Sequence, residues 1–169
     1  MTVRPIRLYG DPVLTTSAKT VSVFDNGLRR LVHDMQETME DAGGVGLAAN
    51  QIGVCSRVFA FDCQSQRSGI RGALVNPVWI PVGADTVYGN EGCLSIPGIA
   101  AKTERYAHVI ASGQDVDGRP QSILASGLLA RCIQHETDHL NGKLFVQRLE
   151  GNERKKTVAQ IRGASWFNA

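Results

Sequence analysis

The chain contains no long apolar run: nothing in it approaches the roughly 18 residues a membrane-spanning helix needs. It contains no C-x-x-C pair among its four cysteines, Cys55, Cys63, Cys93 and Cys132. At 169 residues it is also too long to depend on disulfide staples. Excess charge is nearly absent, since the net charge of +2 gives no reason to expect general nucleic-acid binding. No apolar block follows the two arginines of Met1–Tyr9, so the segment does not read as a secretory signal. A reducing cytoplasm is therefore the expected location, with thiols free to serve as core residues or metal ligands. Internal repeats and low-complexity tracts are missing as well. What remains is an ordinary globular composition, 43% hydrophobic and 20% charged, from which a single domain over residues 1–169 is expected.

Elements follow from periodicity. Asp11–Leu14 reads as a helical turn with Pro12 at a favourable first position. Asp25 is placed to cap a helix over Asn26–Ala42, where Leu28, Leu31, Val32, Met35 and Met39 form a one-sided stripe that Gly43 and Gly44 end. From Arg57 to Asp117 the period shortens. Val58–Phe61, Ala73–Val75, Val78–Ile80 and His108–Ile110 read as strands, separated by the turn signals Asn76-Pro77 and Ile96-Pro97-Gly98. Asp117-Gly118 is expected to turn a hairpin into Gln121–Ala125. Ser126 is expected to cap a second helix, Gly127–Leu140, that Asn141-Gly142 stops. A last helix near Asn152–Arg162 carries Arg154, Lys155, Lys156 and Arg162. Strands in the middle with helices set apart from them imply an α+β fold of antiparallel sheets.

The second helix contains Gln134-His135-Glu136-Thr137-Asp138-His139. Histidines four apart project from one helix face, so both imidazoles can grip one metal, with a glutamate beside them to move protons. Leu128 and Cys132 continue the same stripe, so the helix is expected to be buried. A catalytic site needs a third protein ligand and an open position for water. Leu140–Leu144 offer no ligand, which rules out the extended H-x-x-G-x-x-H form. Glu150 and Glu153 lie further on, near a basic tail; Cys93, in Glu91-Gly92-Cys93-Leu94-Ser95, is the stronger candidate. The other three cysteines are expected in the core. Gly44–Gln51 lacks the lysine of a phosphate loop, and its small residues suit a tight turn or a backbone lying against a ligand. At this point a metallopeptidase and a structural metal site both remain open.

Together Gly44–Gln51, Glu91–Ser95 and Gln134–His139 resemble, in order, the three signature motifs of the peptide deformylases. Gly10–Leu14 and Leu140–Phe145 resemble that family too, so the likeness covers nearly the whole chain. The resemblance implies antiparallel sheets packed around a central metal-binding helix, with N- and C-terminal helices. It implies a hydrolase that removes the formyl group from formylmethionyl peptides of newly made proteins, releasing formate.

Carried over residue by residue, the family's metal falls on Cys93, His135 and His139. Fe²⁺ is the metal implied, and Zn²⁺, Ni²⁺ or Co²⁺ would suit the same donors. Glu136 becomes the proton shuttle, and the Gln51 side-chain amide and Leu94 backbone N–H become oxyanion donors. Val45 and Gly46 would pair with the peptide backbone, and Val45, Leu128 and Cys132 would receive the methionine side chain. The basic last helix resembles the segment by which bacterial members approach the ribosome. Arg105 and Asp138 are expected to form a buried ion pair bracing the metal helix. Two positions depart from the family pattern. Ala100 stands where an arginine near the substrate is frequent, and Arg131 stands where an apolar residue is common. The Arg131 stem is expected either to line the pocket or to leave the head in solvent.

Overall fold

The computed structural model describes residues 2–64 and 70–167. Among them are three α-helices, α1 (Asn26–Asp41), α2 (Gly127–Leu140) and α3 (Gly151–Gly163). A five-stranded antiparallel sheet has the order β1-β2-β3-β6-β7. Its strands are β1 (Gly46–Ala48), β2 (Val58–Asp62), β3 (Arg71–Pro81), β6 (His108–Gln114) and β7 (Pro120–Ser126). A separate ribbon pairs β4 (Thr86–Cys93) with β5 (Ile96–Tyr106). The α+β class with antiparallel sheets is as the sequence implies.

Strand β2 explains the layering. Its apolar residues are consecutive rather than alternating, because both faces are covered. Phe59 and Phe61 pack with Ile133 and Leu140 of α2. Val58 and Ala60 pack with Met35 and Met39 of α1. Asp25 caps α1, its Oδ1 accepting from the Leu28 N–H at 3.0 Å. A third apolar cluster, Ile96, Ala101, Phe145, Val146 and Ile161, fixes β5 against α3 and the turn before it.

Two expected breaks are not breaks. The chain continues through Asn76-Pro77 as one strand, β3, with a register shift between Val75 and Val78. Asn76 takes a φ of 52°, and its side chain bonds both backbone groups of Val21, at 2.8 and 2.9 Å. Asparagine tolerates the left-handed region better than most residues, and proline needs no partner for a donor it lacks, so the pair forms a bulge. Pro97 and Gly98 behave alike inside β5. Pairing jumps from Cys93↔Ile96 to Gly92↔Ala100, leaving Pro97, Gly98 and Ile99 bulged, with Gly98 at a φ of 74°. Strands β1, β4 and β5 were not read from the sequence at all. Ser126 stands at the N-cap of α2, but its side chain makes no capping bond. Cys55 is only half-buried, whereas Cys63 and Cys132 are core thiols.

Helix α2 is buried almost all round: from Leu129 to Leu140 only Arg131 escapes the buried class. Such a helix is normally apolar throughout, yet this one buries Gln134 to His139 in a row. Its C-terminal turn is held by Gly142, whose φ is 69° and where an added Cβ would stand 2.6 Å from the Thr15 carbonyl oxygen. Gly142→Ala should therefore destabilise the fold by about 1–3 kcal/mol, read as a lower urea midpoint. An unchanged midpoint would show that the turn relaxes freely.

Candidate active site

Three residues of the polar row on α2, Gln134, His135 and Asp138, tolerate burial because each meets a built partner. Gln134 bonds the backbone of Tyr106 on both sides, accepting from its N–H at 3.0 Å and donating to its carbonyl at 2.9 Å. His135 Nδ1 faces Glu91 Oε1 at 2.7 Å. Asp138 accepts from Arg105 at 2.6 Å and from Arg148 at 2.5 and 3.0 Å. Arg105 also forks onto Glu91, at 3.0 and 2.5 Å. The Arg105–Asp138 pair is thus present, with both side chains about 5% exposed or less, and it continues into Glu91. Glu91 and Arg148 were not singled out from the sequence. Glu91 could have been suspected from its place two residues before Cys93; Arg148 carries no local signal.

Three donor atoms converge at this helix. Cys93 Sγ, at the end of β4, lies 3.2 Å from His139 Nε2, and His139 Nε2 lies 3.2 Å from His135 Nε2. All three atoms lie within 4.8 Å of one another. Three lone pairs facing each other among buried groups repel unless a cation or shared protons sit between them. The spacing suits a cation, since metal–nitrogen bonds of about 2.0–2.1 Å at tetrahedral angles put neighbouring nitrogens roughly 3.3 Å apart. Glu91 on Nδ1 orients the His135 ring so that Nε2 faces the other two donors. Burial opposes ionisation of Glu91, but His135 and Arg105 hold its carboxyl well below the usual carboxylate range. Asn50 Nδ2 donates to the His139 carbonyl at 2.5 Å, tying the second histidine's backbone to the turn after β1.

Glu136 is 3% exposed. Burial pushes its carboxyl up to about 7, although the neighbouring His135 pulls it down. Its Oε2 has no hydrogen-bond partner among the described residues. Gly46 lies directly against it: a Cβ there would collide with Glu136 Oε1 and stand 2.7 Å from Cys132 Sγ. Only glycine lets strand β1 approach this closely. Gly46→Ala should cut turnover at least about tenfold while leaving the far side of the sheet intact, given the steep dependence of catalysis on sub-ångström placement. Undiminished turnover would mean that Glu136 does not need that position.

Gln51 sits in the short helical turn Ala49–Ile52 after β1. Its Oε1 accepts from the Ala48 N–H at 2.9 Å, which aims the amide nitrogen at Ser95 Oγ, 3.1 Å away, and Cys93 Sγ, 3.6 Å away. Leu94 occupies the turn between β4 and β5. A groove of about 540 Å³ opens over these groups. It is lined on one side by Val45 and Gly46, on the helix by Leu128, Cys132 and Glu136, and on the ribbon by the bulged Pro97, Gly98 and Ile99 with Ala100 beside them. The structure thus brings together all ten residues that the sequence nominated. It also puts Arg131 on the groove wall rather than in solvent.

A Cys-His₂ donor cluster, a buried glutamate in the same helical turn and an open apolar groove define a metal-dependent hydrolase. A profile of the polypeptide deformylase family matches residues 3–155. Peptide deformylase 1 of Corynebacterium efficiens is 60% identical over 168 residues, covering 99% of each chain, and that of Corynebacterium glutamicum is 58% identical over the same span. The peptide deformylase structure from Thermus thermophilus superposes with a TM-score of 0.87 at 41% identity, covering 96% of this chain and 95% of that one. The Synechococcus elongatus enzyme, solved with actinonin, gives 0.87 at 40% identity, covering 98% and 93%. The chain belongs to the peptide deformylase family. It is a metal-dependent hydrolase that removes the N-terminal formyl group from formylmethionyl peptides of newly made proteins.

Proposed function

We propose that Cys93, His135 and His139 hold the catalytic metal and that Glu136 moves the protons, with residues 1–169 acting as one deformylase domain. The observation that carries this reading is the meeting of the three donor atoms, at 3.2 Å contacts, at the helical turn that carries a buried carboxyl oxygen with no hydrogen-bond partner among the described residues. When bound, a divalent metal supplies Lewis acidity that brings the pKa of a coordinated water toward roughly 7. Glu136 takes the proton of the attacking water and returns it to the departing amine. Gln51 Nε2 and the Leu94 N–H donate to the oxygen of the formyl group as it gains negative charge. The edge of β1 at Val45 and Gly46 pairs with the extended peptide, as sheet edges do. Val45, Leu128 and Cys132 receive the methionine side chain. Ala100 offers no charge to the peptide, so binding there rests on backbone and apolar contact.

Fe²⁺ is the metal that family resemblance implies, and the same donors accommodate Zn²⁺, Ni²⁺ or Co²⁺. The exposed Arg154, Lys155 and Lys156 of α3 support a contact with the ribosome, where the substrate emerges. No helix among the described residues is long and apolar enough to cross a membrane; the cytoplasm is the location this reading assigns. Purified protein given formyl-Met-Ala-Ser should release formate and leave an unformylated peptide whole. Cleavage inside the unformylated peptide would return the reading to a metallopeptidase.

A further inference from the structure

Arg131 stands one helical turn before His135 and lines the groove, with its side chain 14% exposed. Its head crosses from α2 to the β4–β5 ribbon. Nη1 donates to Glu91 Oε2 at 2.8 Å and to the Thr103 carbonyl at 2.9 Å; Nη2 donates to the Val87 carbonyl at 3.0 Å. The guanidinium lies on Gly89, where a Cβ would stand 2.8 Å from Nη2. One side chain therefore binds acceptors on both strands of the ribbon, and a glycine in β4 makes room for it. A planar fork can do this; a lysine ammonium on a flexible stem cannot match all three bonds.

We propose that Arg131 is a specificity-determining residue for the side chain that follows the formyl group. The proposal rests on reading the groove as the methionine site. The apolar stem of Arg131 forms a wall of that site, and the anchored head closes the gap between α2 and the ribbon. A free arginine would swing aside for a larger side chain. This one is held, because moving its head would break three hydrogen bonds at once, one of them charge-assisted to a buried Glu91 oxygen. Three of the five N–H groups of the head are committed to the ribbon, so a bulky side chain meets a fixed guanidinium. Glu91 also contacts His135 Nδ1 at 2.7 Å, so the wall is keyed to the turn that bears the metal ligands. Arg131 itself need touch only the methionine side chain.

The test compares parent, Arg131→Ala, Arg131→Met and Arg131→Lys, each loaded with the same metal and checked for metal content and circular dichroism. The substrates are formyl-Met-Ala-Ser and its counterparts with norleucine or phenylalanine first. Arg131→Ala should raise KM for the methionine peptide about tenfold, the scale of lost apolar contact in a pocket, with kcat within about threefold of the parent. The kcat/KM ratio of phenylalanine to methionine should rise about tenfold or more. Arg131→Met, which restores the wall without the anchor, should recover KM for methionine and still admit phenylalanine. Arg131→Lys should fall between. An equal loss on all three peptides, or an unchanged phenylalanine ratio in folded, metal-loaded Arg131→Ala or Arg131→Met, would overturn the proposal. A parent protein that releases no formate would overturn the deformylase site reading instead, so the two failures are distinguishable.

Discussion

Glu136→Ala will release formate from formyl-Met-Ala-Ser about 10²–10⁴-fold more slowly than the parent chain, the range general acid–base groups supply, and will keep its metal. The reasoning is geometric. Glu136 is in the same helical turn as both histidines but is not one of the three converging donors. Its Oε1 is pressed against Gly46 on the groove edge, and its Oε2 has no partner among the described residues. On the proposed mechanism, removing it takes away the proton shuttle without taking away one of the three converging donors. Metal content and formate release should therefore separate in this variant. If turnover stayed within a few-fold of the parent, protons would have to move by another route. If metal fell along with activity, Glu136 would be acting as part of the metal's cage.

Arg105→Ala should destabilise the protein by about 3–5 kcal/mol, the cost of leaving buried carboxylates without their partner. Arg105 is the hub of the buried charges: it forks onto Glu91 and reaches Asp138 at 2.6 Å. Arg131 and Arg148 remain on those two carboxylates, which keeps the loss toward the lower end of that range. Because Glu91 orients His135, the variant should also lose metal faster in the presence of a chelator. Arg105→Lys keeps a charge but not the fork, and should recover only part of the stability. Urea unfolding and chelator-driven metal release check both effects. A variant that melts and retains metal like the parent would mean the ion pairs carry no brace.

What was legible in the sequence divides along physical lines. Helix α2 was readable because local spacing sets its face: Leu128, Cys132, His135 and His139 share a stripe whatever surrounds them. Helix α1 was readable from its stripe and its Asp25 cap, and the β6–β7 hairpin from Asp117-Gly118. The ribbon was harder. Strand β5 contains Pro97 and Gly98, which signal a turn, and it accommodates them by bulging three residues out of register with β4. Asn76-Pro77 misled in the same way within β3. A bulge depends on the partner strand, which a local pattern cannot reveal. Cys93 as third ligand stayed one option among several until family resemblance chose it, since nothing local says that β4 ends beside α2. Glu91, Arg148 and the anchoring of Arg131 are cross-chain contacts of the same kind. Their meaning emerges only when the ribbon is packed against the helix.

The most direct test of the account is metal content per chain after anaerobic purification, measured for the parent and for Cys93→Ala, His135→Ala and His139→Ala. The account predicts a single divalent ion on the parent and its loss from each variant, with formate release lost in step. Full metal occupancy in any of the three folded variants would contradict it, because the metal would then be held by other residues.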